Sequence, residues 1–181
     1  MLDNEKLQKL AKEIYEIAVA HGWHEDTKPN ELWMALVMSE VAEAVEADRK
    51  HISINGNSEG FHKMIGVGHD FKTVYRDYLK GSVAEELADI VIRLLDYINM
   101  RWGDKYEWWY NPHSFRIPDE FPVAAWKLVK VHLNEGSMNV RDSIQYVIEW
   151  ADKLNIDLEE HIKLKMRYNS LRSYKHGGKK Y

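Results

Sequence analysis

Cysteine is absent from the chain. That excludes disulfides, thiolate zinc sites and cysteine nucleophiles, and it fits a reducing, cytoplasmic setting. Proline occurs only four times, and alternating runs of β-branched residues are few, so a mainly helical protein is the expectation. No apolar run approaches the roughly 20 residues that span a bilayer. The polar start MLDNEKLQKLAKE lacks the pattern of a signal peptide. With a net charge of −4 there is no basic excess, which argues against general nucleic-acid binding. A single all-α domain over residues 1–181 is expected, with neither membrane nor nucleic acid among its partners.

What is present is helical periodicity. Leu7, Leu10, Ala11, Ile14, Ile17 and Ala18 make one stripe over about 4–20, and Gly22 supplies the stop. A second helix starts near Pro29 and runs to about Lys50, with Leu32, Leu36, Val37, Val41, Ala44 and Val45 inward. From His51 to Gly81, five glycines with Asn and Ser beside them predict a long loop, with a short helix possible over Phe71–Leu79. Val83–Met100 is apolar on nearly every side, as expected of a helix buried at the centre of a domain. Residues 104–120 read as an aromatic-rich irregular connection, packed on the helices or on a partner subunit. After Pro122 a helix runs to about 134–136 with Val123, Trp126, Val129 and Leu133 inward. Further helices follow over about 138–154, with Val140, Ile144, Val147, Ile148, Ala151 and Leu154 inward, and from Asp157, where Glu160 completes a capping-box pattern. The expected architecture is a bundle of about five to six helices without a substantial sheet, carrying irregular insertions at about 51–81 and 104–120.

The central helix holds a contradiction. Glu86, Asp89, Arg93 and Asp96 stand at offsets of 0, 3, 7 and 10, within an arc of roughly 80°. Buried carboxylates are costly unless cations pair with them. Glu40 and Glu43, three apart on the second helix, are neighbours on one face. Two antiparallel helices can turn these pairs toward each other and gather four acids. Like charges ~4 Å apart repel by roughly 4 kcal/mol at an effective dielectric near 20. Arg93 alone cannot neutralise four carboxylates. A hard divalent cation can, and all-oxygen ligation suits magnesium, with manganese as the alternative. Solvated helix faces are the competing reading of the same acids. Arg93 and Asp96 fit equally a structural ion pair further along the helix.

A basic group closes the chain. Lys165, Asn169 and Arg172 stand at offsets of 0, 4 and 7, within roughly 60° on one helical face. Lys175, His176, Lys179 and Lys180 follow. Such donors suit phosphate oxygens, although an ordinary solvated basic tail has the same composition. Glu59 and His62 match the ExxH of di-iron bundles, but no second copy accompanies them.

The motifs SEVAEAVEA and EELADIVIRLLDY, followed by HIKLKMRYNSLRSYKHGGKKY, resemble the MazG-like all-α nucleoside triphosphate pyrophosphatases. HGW before the second helix is similar to their N-terminal region. The resemblance covers nearly the whole chain apart from 51–81 and 105–120. It implies a magnesium-binding helical bundle that hydrolyses an NTP or dNTP to the monophosphate and pyrophosphate, as a homodimer or homotetramer with a cleft partly shared between chains. Carried over by position, Glu40, Glu43, Glu86 and Asp89 become the metal ligands and catalytic acids, and Lys165, Asn169, Arg172, Lys175 and Lys179 the phosphate or sugar contacts. Trp23 or Trp33 would supply the aromatic wall for the base. Two features depart from the family pattern: Ser39 stands where many relatives carry a further Glu, and the two acidic motifs are more widely separated. Alternatives are a related pyrophosphohydrolase acting on another phosphorylated metabolite, a non-catalytic nucleotide-binding or regulatory module, and a di-metal redox bundle.

Overall fold

The computed structural model describes residues 2–108, 111, 114–133, 140–178 and 180. Among these the chain is all-helical, with no strand. The helices are α1 (Asn4–Ala20), α2 (Asn30–Arg49), α3 (Ser58–Gly66), α4 (Phe71–Tyr78), α5 (Val83–Trp102), α6 (Phe121–Lys127), α7 (Val140–Lys153), α8 (Leu158–Ser170) and the short α9 (Lys175–Gly178). No helix among the described residues is long and apolar enough to cross a membrane.

α5 is the axis, packed on α1, α2, α7 and α8. Ser82 caps its start by accepting from the Glu85 N–H at 3.2 Å. Gly103, at φ +54°, ends it in a conformation that L side chains resist. Leu87, Ile90, Val91, Leu94 and Leu95 are fully buried, each worth about 1.5–3 kcal/mol of burial. The acidic side chains of α5 thus ride on a helix buried at the centre of the bundle.

The stretch 51–81 differs from its expectation. It is not a long loop with one short helix but two capped helices. Asn57 accepts from the Gly60 N–H and Asp70 from the Thr73 N–H, each at 2.9 Å. Together α3 and α4 close a second apolar cluster of Phe61, Phe71, Val74, Tyr75 and Leu79 on Tyr168 of α8. Gly56, Gly68 and Gly81, all at positive φ, mark the turns, while Gly60 and Gly66 lie within α3. These additional helices raise the count above the expected five to six.

α6 also differs. Phe121, Ala124, Ala125 and Leu128 face the core, whereas Val123 and Trp126 are 49% and 63% exposed. The paired alanines let α6 approach its neighbours closely, which rotates the bulkier residues outward. The helix ends at Lys127 and continues as one wider π turn over Leu128–His132; positions 134–136, where it was expected to stop, lie outside the described residues. The aromatic connection is anchored rather than loose. Buried Glu149 accepts from the Ser114 and Phe115 N–H groups at 3.0 and 2.9 Å, and Tyr106, Trp108 and Phe115 pack on the core.

Candidate functional site

The two acidic motifs meet. α2 and α5 lie side by side, and Glu40, Glu43 and Glu86 each offer a carboxylate oxygen within 4.8 Å of the others. Glu40 and Glu86 are buried and Glu43 is exposed, so the cluster opens to solvent on one side. It lines a cavity of about 600 Å³. Asp89, expected as a fourth ligand, also lines the cavity, but its Oδ2 sits 2.5 Å from Lys165 Nζ.

Lys165 is therefore under the site and not at its mouth. Its ammonium is buried between Asp89 and Glu85 and bonds both. Burial works against that charge, yet the two carboxylates outweigh it and raise the lysine's pKa. Glu85 was not among the expected site residues. It is 1% exposed and also accepts from the Gly81 N–H and the Tyr75 hydroxyl. Its signal was the doubled Glu85-Glu86 at the start of α5.

Arg93 and Asp96 do not pair with each other. Arg93 Nε donates to Glu40 Oε1 at 2.5 Å, and Asp96 Oδ1 meets His24 Nε2 at 2.8 Å. Although the two residues are three apart on one face of α5, Arg93 reaches α2 and Asp96 the α1–α2 link.

The cluster remains under-neutralised. Of Glu40, Glu43, Glu85, Glu86 and Asp89, three form ion pairs among the described residues, Glu40 with Arg93 and Glu85 and Asp89 with Lys165. Burial first, then the neighbouring Glu85 and Asp89, push the Glu86 carboxyl up to about 9. Burial raises Glu40 as well, against the pull of Arg93. Burial likewise raises Asp96, with His24 opposing it. An all-oxygen site that holds a proton for want of positive charge has the chemistry to take a divalent cation.

The pH consequence has a definite sign. Glu86 keeps its proton in the folded chain up to about pH 9, whereas an unfolded glutamate loses it near about 4.3. Between those values the folded state binds more protons, so metal-free stability falls as pH rises. A divalent cation bound by the cluster would compete with that proton. The melting temperature in chelator is expected to drop between about pH 6 and about pH 8.5, and the gain on adding magnesium to be larger at the higher pH. Thermal denaturation at both values reads this directly; a magnesium gain that is independent of pH would contradict it.

The opposite wall comes from α8 and the tail. Asn169, Arg172 and Lys180 line the same cavity, and the Asn169 Oδ1 is buried without a hydrogen-bond partner among the described residues. Lys175 does not line the cavity; it bonds Glu25 at 2.9 Å. Lys179 lies outside the described residues. Trp23 lines the cavity and meets His176 edge-on at 5.2 Å, and Trp33 lines it too.

The tail is strapped over the α1–α2 link. His21 reaches the carbonyls of Ile17 and Arg172 at 2.8 and 3.1 Å, its own carbonyl accepts from the Lys175 N–H, and Tyr174 donates to Glu25. Gly22 makes this possible. It sits at φ +79°, and a β-carbon there would lie 2.4 Å from the Tyr174 ring. Gly22→Ala is expected to cost about 1–2 kcal/mol and to make residues 171–178 the first site of limited proteolysis. An unchanged cleavage pattern would separate Gly22 from tail docking.

Comparison with protein families, curated proteins and solved structures finds no match for this chain.

Proposed function

We propose that the chain is a magnesium-dependent nucleoside triphosphate pyrophosphohydrolase of the MazG-like kind, converting an NTP or dNTP to the monophosphate and pyrophosphate. One observation carries the reading: Glu40, Glu43 and Glu86 converge in a cavity whose other wall bears Asn169, Arg172 and Lys180. These are the acidic and basic motifs on which the resemblance rests, placed across a space that a nucleotide can enter.

The residues present fit a magnesium ion on two counts: an all-oxygen donor set within reach of one cation, and a glutamate holding a proton in the cation's place. Glu40, Glu43 and Glu86 would hold the ion, with Asp89 joining if it leaves Lys165. When bound, the metal supplies charge for the triphosphate and activates water for in-line attack. The chain's own residues do the rest. Arg172 and Lys180 spread charge on the leaving phosphates, and Asn169 offers its unpartnered oxygen to a hydroxyl. Arg93 holds the Glu40 carboxylate in register, and Lys165 does the same for Asp89. The docked tail excludes bulk water, which strengthens each of these contacts. The same reading takes the protein as a cytoplasmic homodimer or homotetramer.

The test is a screen of ribo-, deoxy- and base-modified triphosphates, with magnesium and with chelator, resolving all products. Turnover confined to the magnesium arm supports the reading. A protein that binds nucleotide and magnesium yet releases no pyrophosphate would be a silent binding module instead.

A further inference from the structure

Two turns along α5 from the acids, Asp96 does something the metal cluster does not need. Its side chain is 11% exposed and lines the cavity. Oδ1 is taken by His24 at 2.8 Å, and the other oxygen has no hydrogen-bond partner among the described residues. His24 is itself fixed: its ring lies 16° from parallel with Trp33 at 5.4 Å and 4.7 Å from Tyr15. A buried carboxylate oriented by an aromatic-clamped histidine, with one oxygen left over, is a positioned acceptor. The same cavity is lined by the apolar Ile14, Ile17, Trp23 and Leu36. Seven residues of helix place Asp96 about 10 Å beyond Asp89, on the scale of a nucleotide's span from phosphate to base edge.

We propose that Asp96 reads the base: its free oxygen accepts a hydrogen bond from an N–H on the edge of a nucleobase whose flat face lies on the apolar wall beside Trp23. The inference rests on the nucleotide reading above and assigns the direction in which the substrate lies, phosphates at Glu86 and base at Asp96. A ribose hydroxyl also donates to carboxylates, but an apolar and aromatic wall suits a heterocycle better than a sugar.

The test is calorimetric titration of the four ribonucleoside 5′-monophosphates and their 2′-deoxy counterparts into wild type and Asp96→Asn. Asparagine keeps an acceptor for His24 and turns the free oxygen into a donor. Wild type is expected to favour one base by roughly tenfold or more, and the variant to weaken that base by roughly the same factor, equally for ribo and deoxy forms. A second arm needs no variant. The favoured monophosphate with its edge N–H methylated is expected to lose a comparable factor on wild type, and this arm decides the matter if Asp96→Asn fails to fold. Equal binding of all four bases, tolerance of the methylated base, or a variant that alters only the ribo-to-deoxy ratio would overturn the proposal. Selective monophosphate binding without pyrophosphate release from any triphosphate would remove the hydrolase reading and leave Asp96 as a base reader. Hydrolysis of all triphosphates with no base selectivity would do the reverse.

Discussion

Glu86→Gln is expected to lower magnesium-dependent pyrophosphate release by more than about a hundredfold, because losses of ten- to a hundredfold already follow from changing residues that merely support a metal ligand. The same variant is expected to keep its helix content and to melt no lower than wild type in chelator. The reason lies in the protonation state. With its carboxyl held neutral up to about 9 by burial and by Glu85 and Asp89, Glu86 in the metal-free chain resembles the amide that replaces it. Gln adds no buried charge and cannot acquire one as the pH rises. The cost falls only on the loaded state, where the missing negative charge weakens the cation's hold. The stabilisation by magnesium expected of wild type should shrink in parallel. Full turnover in this variant would take the three-glutamate cluster out of the chemistry.

Lys165→Met is expected to be the most damaging single change to stability. Its ammonium is the cation for both Glu85 and Asp89 and is 8% exposed. Methionine fills a similar volume but leaves two carboxylates facing each other without a counter-charge, in a wall that also holds Glu86. Removing one partner of a buried ion pair costs about 3–5 kcal/mol, a large share of the roughly 5–15 kcal/mol that holds a domain folded. Neutralising an orphaned acid should relieve this, so the double variant Glu85→Gln/Lys165→Met is expected to recover much of the loss. Urea denaturation of the wild type, the single and the double variants measures the coupling. A single variant as stable as wild type would mean that the lysine is not the buried counter-ion described.

The bundle was legible where one face of one helix decides the outcome. Leu7, Leu10 and Ile14 on α1, and the near-continuous apolar surface of α5, announce their burial by periodicity alone, and Glu40, Glu43 and Glu86 stood out as charges on elements destined for the core. The failures share one cause. α3 is short, and its glycine-rich surroundings masked the cap at Asn57, which signalled a helix start, whereas the short helix expected over Phe71–Leu79 is α4. Trp126 and Val123 look like core residues until the smaller Ala124 and Ala125 are seen to set the packing distance. The partners of the charges were the least accessible of all. Lys165 meets Glu85 across 80 positions, His24 meets Asp96 across 72, and Arg93 meets Glu40 across 53. No local pattern encodes such pairings, because they follow from how α2, the α1–α2 link and α8 are laid against α5. Lys165 read as a surface phosphate ligand since its charge and its helical spacing with Asn169 were visible, while its burial was not.

On the proposed function, this cavity cleaves a nucleoside triphosphate between its α- and β-phosphates with a divalent cation held by Glu40, Glu43 and Glu86. A phosphorus NMR time course on the favoured triphosphate with magnesium tests it most directly. Nucleoside monophosphate and pyrophosphate are expected to rise together in equal amounts, silenced by chelator and by Glu86→Gln. Diphosphate with inorganic phosphate, or turnover that persists in chelator, would contradict it.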